Sequence, residues 1–347
     1  MTEEIITLDY GSGGEKTAKL IESLLLPAFS DPALNELGDG AVLPGGERLV
    51  FSTDSFVVSP WRFPGGDIGK LCICGTVNDI CMAGGLPKYI SLSFIIEEGF
   101  LVSDLKEIIA SIAAEAKEAG VRVVTGDTKV VERGKGDGIY INTAGIGIRR
   151  DALPNALQRW QGAGTLLPGR SAIREGDAVL ISGSVGCHGA AVMLSRAGLS
   201  GGDACRSDCR PLHALSEAAL RAGEVRILRD PTRGGVATTL NEFTDGMSFS
   251  IELEENAIPI EAGVAASCEL LGLDPLYCAC EGRMLLVVPE RDVEAELSAL
   301  QAVPGGERAA RIGTVRSSHP GQVILRTGLG GSRILSRLSG QQLPRIC

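Results

Sequence analysis

A few acidic side chains and one terminal thiol are the residues best placed to do chemistry. Asp39 lies between Gly38 and Gly40, and Asp54 follows a predicted strand, Leu49-Val50-Phe51. Asp79 sits in Val77-Asn78-Asp79, and Asp127 in Gly126-Asp127-Thr128-Lys129. All four fall at the ends of predicted elements. Taken singly, each is an ordinary solvated or helix-capping aspartate. Taken together they suit Mg²⁺, which prefers oxygen ligands and keeps several waters, so carboxylates from separate elements fit a magnesium–phosphate better than a closed cage. Lys129 could meet a phosphate, or transfer a proton if its pKa were lowered.

The chain ends in Leu343-Pro344-Arg345-Ile346-Cys347, behind Gly328, Gly330, Gly331 and Gly340. Pro344 cannot extend a helix, and it biases Leu343 toward extended backbone. From Ser336 to Cys347 the stretched chain would reach roughly 40 Å, at about 3.3 Å per residue. A thiol on such an arm could travel from solvent into a cleft of its own protein; the alternative is a frayed end that happens to finish in cysteine. Prenylation would need three residues after the cysteine. Of the ten cysteines, Cys72/Cys74 and Cys278/Cys280 are one residue apart and Cys205/Cys209 three apart, so no paired C-x-x-C zinc frame is present. Most are expected to be small buried apolar groups.

The elements that must position these groups are legible as periodic runs. Gly11-Ser12-Gly13-Gly14 precedes a helix pattern at Thr17, Leu20, Ile21, Leu24 and Leu25. A glycine loop entering a helix presents bare N–H groups to an anion, although no Gly-Lys-Ser/Thr follows to make it a P-loop, and a plain turn fits equally. Asp67 is predicted to cap a helix stopped by Gly84-Gly85-Leu86-Pro87, and Ser103 another that ends at Gly120. Strands are expected at 89–96, 121–124 and 138–148. Residues 151–171, rich in proline and glycine, read as a linker. Beyond it, strands and helices resume. Asp230-Pro231-Thr232-Arg233-Gly234-Gly235 forms a second glycine-ended turn before a helix. His188 is read as a capping or packing residue. This divides the chain into residues 1–150, the linker 151–171, a second domain at 172–335 and a mobile tail at 336–347.

Composition narrows the class. With 347 residues, 44% apolar and 22% charged, the chain suits a globular protein of two domains. Its 46 glycines and 4% aromatics suit an α/β-type enzyme with close backbone approaches. A net charge of -10 argues against nucleic acid as partner. Neither a basic, apolar leader nor a membrane-length apolar run is visible, which predicts a cytoplasmic protein with no membrane partner.

In order, Gly11-Ser12-Gly13-Gly14, Ser52-Thr53-Asp54, Val77-Asn78-Asp79, Gly126-Asp127-Thr128-Lys129-Val130, Asp230-Pro231-Thr232-Arg233-Gly234-Gly235 and the Pro344-Arg345-Ile346-Cys347 terminus resemble the HypE family of hydrogenase maturation factors, over essentially the whole chain. More distantly, the first half resembles aminoimidazole ribonucleotide synthetase, selenophosphate synthetase and thiamine-monophosphate kinase. The resemblance implies an α+β, two-domain aminoimidazole ribonucleotide synthetase-like fold, with helices on one face of each sheet and the first sheet paired with that of a second subunit in a homodimer. It implies an ATP cleft whose nucleotide-binding residues are Gly11, Gly13, Gly14, Asp54, Asp79, Asp127, Thr232 and Gly234, with Mg²⁺ on Asp39, Asp54, Asp79 and Asp127. It further implies that a carbamoyltransferase, HypF, loads the Cys347 thiol. ATP then drives dehydration of the carboxamide to a thiocyanate, and cyanide passes to iron on a HypC–HypD scaffold. Lys129 and Glu281 are the proton-handling candidates on this basis, and Cys347 is the covalent carrier.

The chain departs from the family pattern at three places. Cys280 stands where asparagine precedes Glu-Gly, with Arg283 where lysine is common; Cys187 stands where aspartate precedes His188-Gly189; and 151–171 is long. The competing readings are a small-molecule ATP-dependent kinase or synthetase of the same fold, which would not need an attached thiol, and a non-enzymatic thiol-presenting subunit, which would not need the aspartate set.

Overall fold

The computed structural model describes residues 5–7, 10, 19–31, 45–46, 48–153, 166–199, 201–337 and 345–347. Gly11, Gly13, Gly14 and Asp39 lie outside the described residues, as do 154–165 of the predicted linker and 338–344 of the tail.

The first half is a four-stranded sheet with helices on one face. Its strands are β1 (Leu49–Phe56), β2 (Gly85–Glu97), β3 (Arg122–Val131) and β4 (Ile139–Arg149), in the order β1-β4-β2-β3. β4 runs antiparallel to both β1 and β2, and β3 is parallel to β2. Such a parallel pair needs a crossover, supplied here by α2 (Val102–Ala119). Helix α1 (Ile68–Met82) begins where Asp67 accepts the Lys70 N–H at 2.9 Å, as predicted. Helix α2 ends at Gly120 in left-handed conformation, also as predicted, but it starts at Val102 with Leu101 outside it, so Ser103 lies in its first turn and does not cap it.

Alternation sets the two faces of this sheet. Phe56, Ile90, Leu92, Phe94, Ile96, Ile141 and Thr143 point at the helices and are buried. Leu49, Phe51 and Ile95 point the other way and are exposed. Among the described residues no helix covers this second, open face.

The second half is a seven-stranded sheet. Its strands are β5 (Ala178–Ile181), β6 (Ile227–Arg229), β7 (Ser250–Glu254), β8 (Leu285–Val288), β9 (Ala310–Arg316), β10 (Val323–Arg326) and β11 (Ser332–Leu335), in the order β11-β10-β7-β9-β5-β8-β6. Among the described strand pairs of this sheet only β7–β10 is parallel. Helices α3 (Cys187–Arg196), α4 (His213–Ala222), α5 (Gly235–Thr244), α6 (Ala262–Leu271) and α7 (Val293–Gln301) accompany it. One apolar cluster joins the halves: Leu71, Cys72 and Cys81 of α1 share it with Cys209, Leu212 and Leu228. Asn78 pins the same junction, donating to the Arg210 and Glu281 carbonyls while accepting the Leu212 N–H at 2.8 Å. Because the halves meet along α1, Asp79 faces groups of the second half.

Candidate active site

The junction gathers acids. Asp54, on the helix-facing side of β1, and Asp79 on α1 form its first wall; Ser52 donates to Asp79 at 2.7 Å. Asp230, at the end of β6, is buried, and burial together with the nearby Asp79 charge pushes its pKa up to about 7. Burial also raises Asp54 and Asp79. Glu281 is 2% exposed, and its Oε1 has no hydrogen-bond partner. Burial, then the charges of Asp230, Asp208, Asp54 and Asp79, hold the Glu281 carboxyl well above the ordinary range.

Backbone geometry explains why two of the sequence motifs take their form. Gly234 and Gly235 both have positive φ, 73° and 59°, which turns the chain from Asp230 into α5. In that turn the Thr232 N–H bonds the Asp230 carbonyl and the Thr232 carbonyl accepts the Gly235 N–H, leaving Arg233 extended toward Asp54 at 3.6 Å. Gly282 is packed so closely on the Asp208 carbonyl that any side-chain carbon there would collide with it. Asp208 in turn accepts the Glu281 N–H at 3.2 Å and lies 3.5 Å from Arg283.

The terminal cysteine enters this cluster. Ile346 and Cys347 are buried, although a tail with little core burial was expected. The reason is that Ile346 offers an apolar side chain and that Arg345 and Cys347 find backbone partners on the chain after β1. The Val57 N–H donates to the Cys347 carbonyl at 3.0 Å. Burial and the Glu281 charge raise the Cys347 thiol to about 12, against the pull of the Arg233 guanidinium beside it. Glu281, Arg233, Asp54 and the Cys347 thiol are thus one electrostatic unit.

Asp127 and Lys129 are elsewhere. They were expected at a strand end, but β3 continues through both to Val131 because it stays paired with β2 along that length. The register Asp127–Ser93–Asn142–Ser55 runs straight across the sheet. Three strand spacings separate Asp127 from β1, about 14 Å. Both side chains are on the open face, 58% and 63% exposed, and pair with each other at 3.0 Å. Lys129 draws the Asp127 carboxyl below the usual range. Within one chain, neither residue reaches the acid cluster.

Sequence reasoning named Asp54, Asp79, Thr232, Gly234, Glu281 and Cys347 and missed three neighbours. Asp230 and Arg233 lay inside a quoted motif and could have been found by asking which of its side chains is charged. His188 gave no such signal. It is fully buried, with its ring bonded to the tail.

The donor set fits a magnesium–nucleotide. Asp54 and Asp79 offer hard carboxylate oxygens in a site whose crowded negative charge a cation would relieve. Among the described residues no three side chains converge into a metal cage, so phosphate and water would complete the shell. All ten cysteines are buried free thiols. Among the described residues no helix is long and apolar enough to cross a membrane.

Known proteins share this fold. Residues 37–149 match the N-terminal domain of AIR synthase related proteins, and 174–326 the C-terminal domain. Carbamoyl dehydratase HypE of Cupriavidus necator is 48% identical, with 99% of this chain and 95% of that protein covered. The Escherichia coli protein of the same name is 41% identical over 99% of each chain. A crystal structure of hydrogenase maturation protein HypE in complex with ATP superposes with a TM-score of 0.90 at 45% identity, covering 98% of this chain and 99% of that one. A HypE–HypF complex is similar with a TM-score of 0.75 at 43% identity, over 92% and 99% of the two chains. Thiamine monophosphate kinase from Aquifex aeolicus, 18% identical with a TM-score of 0.59, shares the fold. The chain belongs to the HypE family of carbamoyl dehydratases and hydrogenase maturation proteins.

Proposed function

We propose that this chain is an ATP-dependent carbamoyl dehydratase that works on its own C-terminus. The observation that carries this reading is the burial of the Cys347 thiol beside Arg233 and the Glu281 carboxyl, at the edge of the Asp54–Asp79–Asp230 cluster. The thiol accepts a carbamoyl group from a HypF-type carbamoyltransferase in the cytoplasm, and the tail carries it back. The net step is S–C(=O)NH₂ + ATP → S–C≡N + ADP + phosphate. An amide oxygen is a poor leaving group; phosphorylation makes it a good one, and loss of both nitrogen protons expels phosphate. Asp54 and Asp79 would hold the magnesium of the nucleotide, with Thr232 and Gly234 on its phosphates. Gly11, Gly13, Gly14 and Asp39 complete that set in the proposal.

Glu281 is suited to proton transfer because burial makes its carboxylate a strong base once ionised. Burial also excludes water that would hydrolyse an activated amide. Lys129 and Asp127 join the site from the second subunit of a homodimer that pairs the two open sheet faces, Phe51 and Ile95 being part of the surface buried. Cyanide then passes to iron on a HypC–HypD scaffold.

The test is the mass of the C-terminal peptide after exposure to carbamoyl phosphate, the carbamoyltransferase and ATP. A gain of one carbamoyl group, followed on ATP addition by loss of one water, is expected. Carbamoylated peptide that persists through the ATP pulse would overturn the reading.

A further inference from the structure

The terminal tripeptide is held on two sides. On one, the chain after β1 supplies the Val57 N–H to the Cys347 carbonyl and the Ser59 N–H to the Arg345 carbonyl at 3.4 Å, and Arg345 Nε donates to the Val57 carbonyl at 2.8 Å. On the other, α3 supplies two side chains. His188 Nε2 lies 2.8 Å from the Ile346 carbonyl, and one Arg196 nitrogen donates to both the Arg345 carbonyl at 2.8 Å and the Ser59 carbonyl at 2.6 Å. A carbonyl can only accept, so Nε2 carries the proton and Nδ1 accepts from the Ser207 hydroxyl at 2.8 Å. Burial lowers the pKa of His188, in keeping with this neutral tautomer. Phe63 stands edge-on to the ring at 5.1 Å and fixes its plane.

Two features separate this contact from ordinary packing. His188 is fully buried, so withdrawal of the tail strips its Nε2–H of the acceptor the docked carbonyl provides. Arg345 has φ 50°, a left-handed backbone that a non-glycine residue holds only when its surroundings impose it. The Arg196 contact to the Arg345 carbonyl, and that residue's bonds to Val57 and Asp137, do so here. We infer that His188 and Arg196 form a latch that reads the backbone of the terminal tripeptide and fixes its depth, so that the atom placed beside Glu281 and Arg233 is the Cys347 sulfur. The latch reads only main-chain carbonyls, so it accepts the tail whatever group the sulfur carries. His188 is a positioning residue: it contacts the carbonyl of the residue before Cys347 and not the reacting group.

This inference deepens the proposed dehydratase role, and its first test needs neither ATP nor a partner. Iodoacetamide alkylation of Cys347, read on the C-terminal peptide, reports how often the tail is undocked. His188→Leu and Arg196→Met should each raise that rate roughly five- to tenfold, the equilibrium effect of losing one such hydrogen bond. His188→Gln, which keeps an N–H donor, should stay within about twofold of the native rate. Carbamoyl loading by the partner enzyme should be as fast as native or faster in the Leu and Met variants, while single-turnover dehydration slows. That opposition distinguishes a latch from damage to the fold, which would slow both. If His188→Leu does not fold, Arg196→Met decides the matter. Native alkylation rates in the folded variants, or loading and dehydration falling together, would overturn the latch. Faster alkylation in a protein whose native form never dehydrates its carbamoyl group would leave the latch standing and overturn the dehydratase reading instead.

Discussion

The acid cluster at the domain junction and the Asp127–Lys129 pair on β3 use the same side-chain chemistry under opposite conditions. At the junction, burial and mutual repulsion push Asp230 up to about 7 and Glu281 well above its ordinary range. On the open face, Lys129 pulls the Asp127 carboxyl down, and both groups meet solvent. Burial raises the carboxyls at the junction and crowds their charge; the exposed pair neutralises itself. A surface pair of this kind adds little to stability, about 0–1 kcal/mol. It lies on a sheet face that no helix covers among the described residues, where Phe51 and Ile95 are also exposed. The difference teaches that the junction is a complete local environment, whereas the β3 pair would serve a site only in the homodimer proposed above.

The largest effect expected from breaking the junction is at Glu281. Glu281→Gln keeps the shape and the buried polar group but cannot take a proton. Carbamoyl loading of Cys347 should be native, and conversion to thiocyanate should fall by about 10²–10⁴-fold. Timed mass spectrometry of the C-terminal peptide measures both. Native conversion would remove Glu281 from the mechanism.

The open-face pair is sharpened by mixing subunits. Lys129→Ala alone should be inactive in dehydration. Co-assembled with Glu281→Gln, it should recover about one quarter of native turnover, because half the dimers are mixed and each mixed dimer has one intact site. Recovery requires that Lys129 serve the partner's Glu281. If Lys129 served its own chain, each site of a mixed dimer would carry one defect and nothing would return.

How much of this was legible in the sequence follows the same division. Periodicity gave α1 with its Asp67 cap and the Gly120 end of α2, because those signals are local. The motif Asp230-Pro231-Thr232-Arg233-Gly234-Gly235 was legible as a turn because two left-handed glycines leave few other conformations. Asp127 was not. Thr125-Gly126-Asp127 looks like a turn, and only pairing with β2 carries the strand through it. Nor does a short polar run reveal which face its side chains take. His188 was illegible for a different reason: its partner is a backbone carbonyl 158 residues away, which leaves no trace in side-chain spacing.

A third prediction concerns pH and the docked tail. The Cys347 thiol rises from an ordinary value of 9 to about 12 in its pocket, through burial and then the Glu281 charge. The docked state therefore holds the thiol proton more tightly than the free tail does. Docking is fully favoured below about pH 9 and weakens as pH climbs toward 12, by about tenfold per unit. Tryptic cleavage after Arg345 should accelerate from pH 8.5 to 10 in the native chain and stay flat in Cys347→Ser, which has no titrating group there. Parallel acceleration in both would assign the effect to general loosening.

The smallest effect separates the two regions by stability alone. Asp127→Asn removes half of an exposed ion pair, so nucleotide-free stability should change by less than about 1 kcal/mol. Asp79→Asn acts where charge is crowded: the Asp79 carboxylate is one of the causes that raise Asp230, and the Ser52 hydroxyl can still donate to the amide oxygen. Its nucleotide-free Tm should equal or slightly exceed the native value, against the usual expectation for a change at a partly buried residue. Both variants should nonetheless bind Mg-ATP more weakly, Asp79→Asn in any state of assembly and Asp127→Asn only where two copies are paired. Calorimetry at concentrations above and below dimer dissociation, beside thermal melts, measures all four quantities. A fall in Tm for Asp79→Asn would mean that the carboxylate is a structural partner first, and unaltered Mg-ATP affinity in paired Asp127→Asn would leave the open-face pair outside the active site altogether.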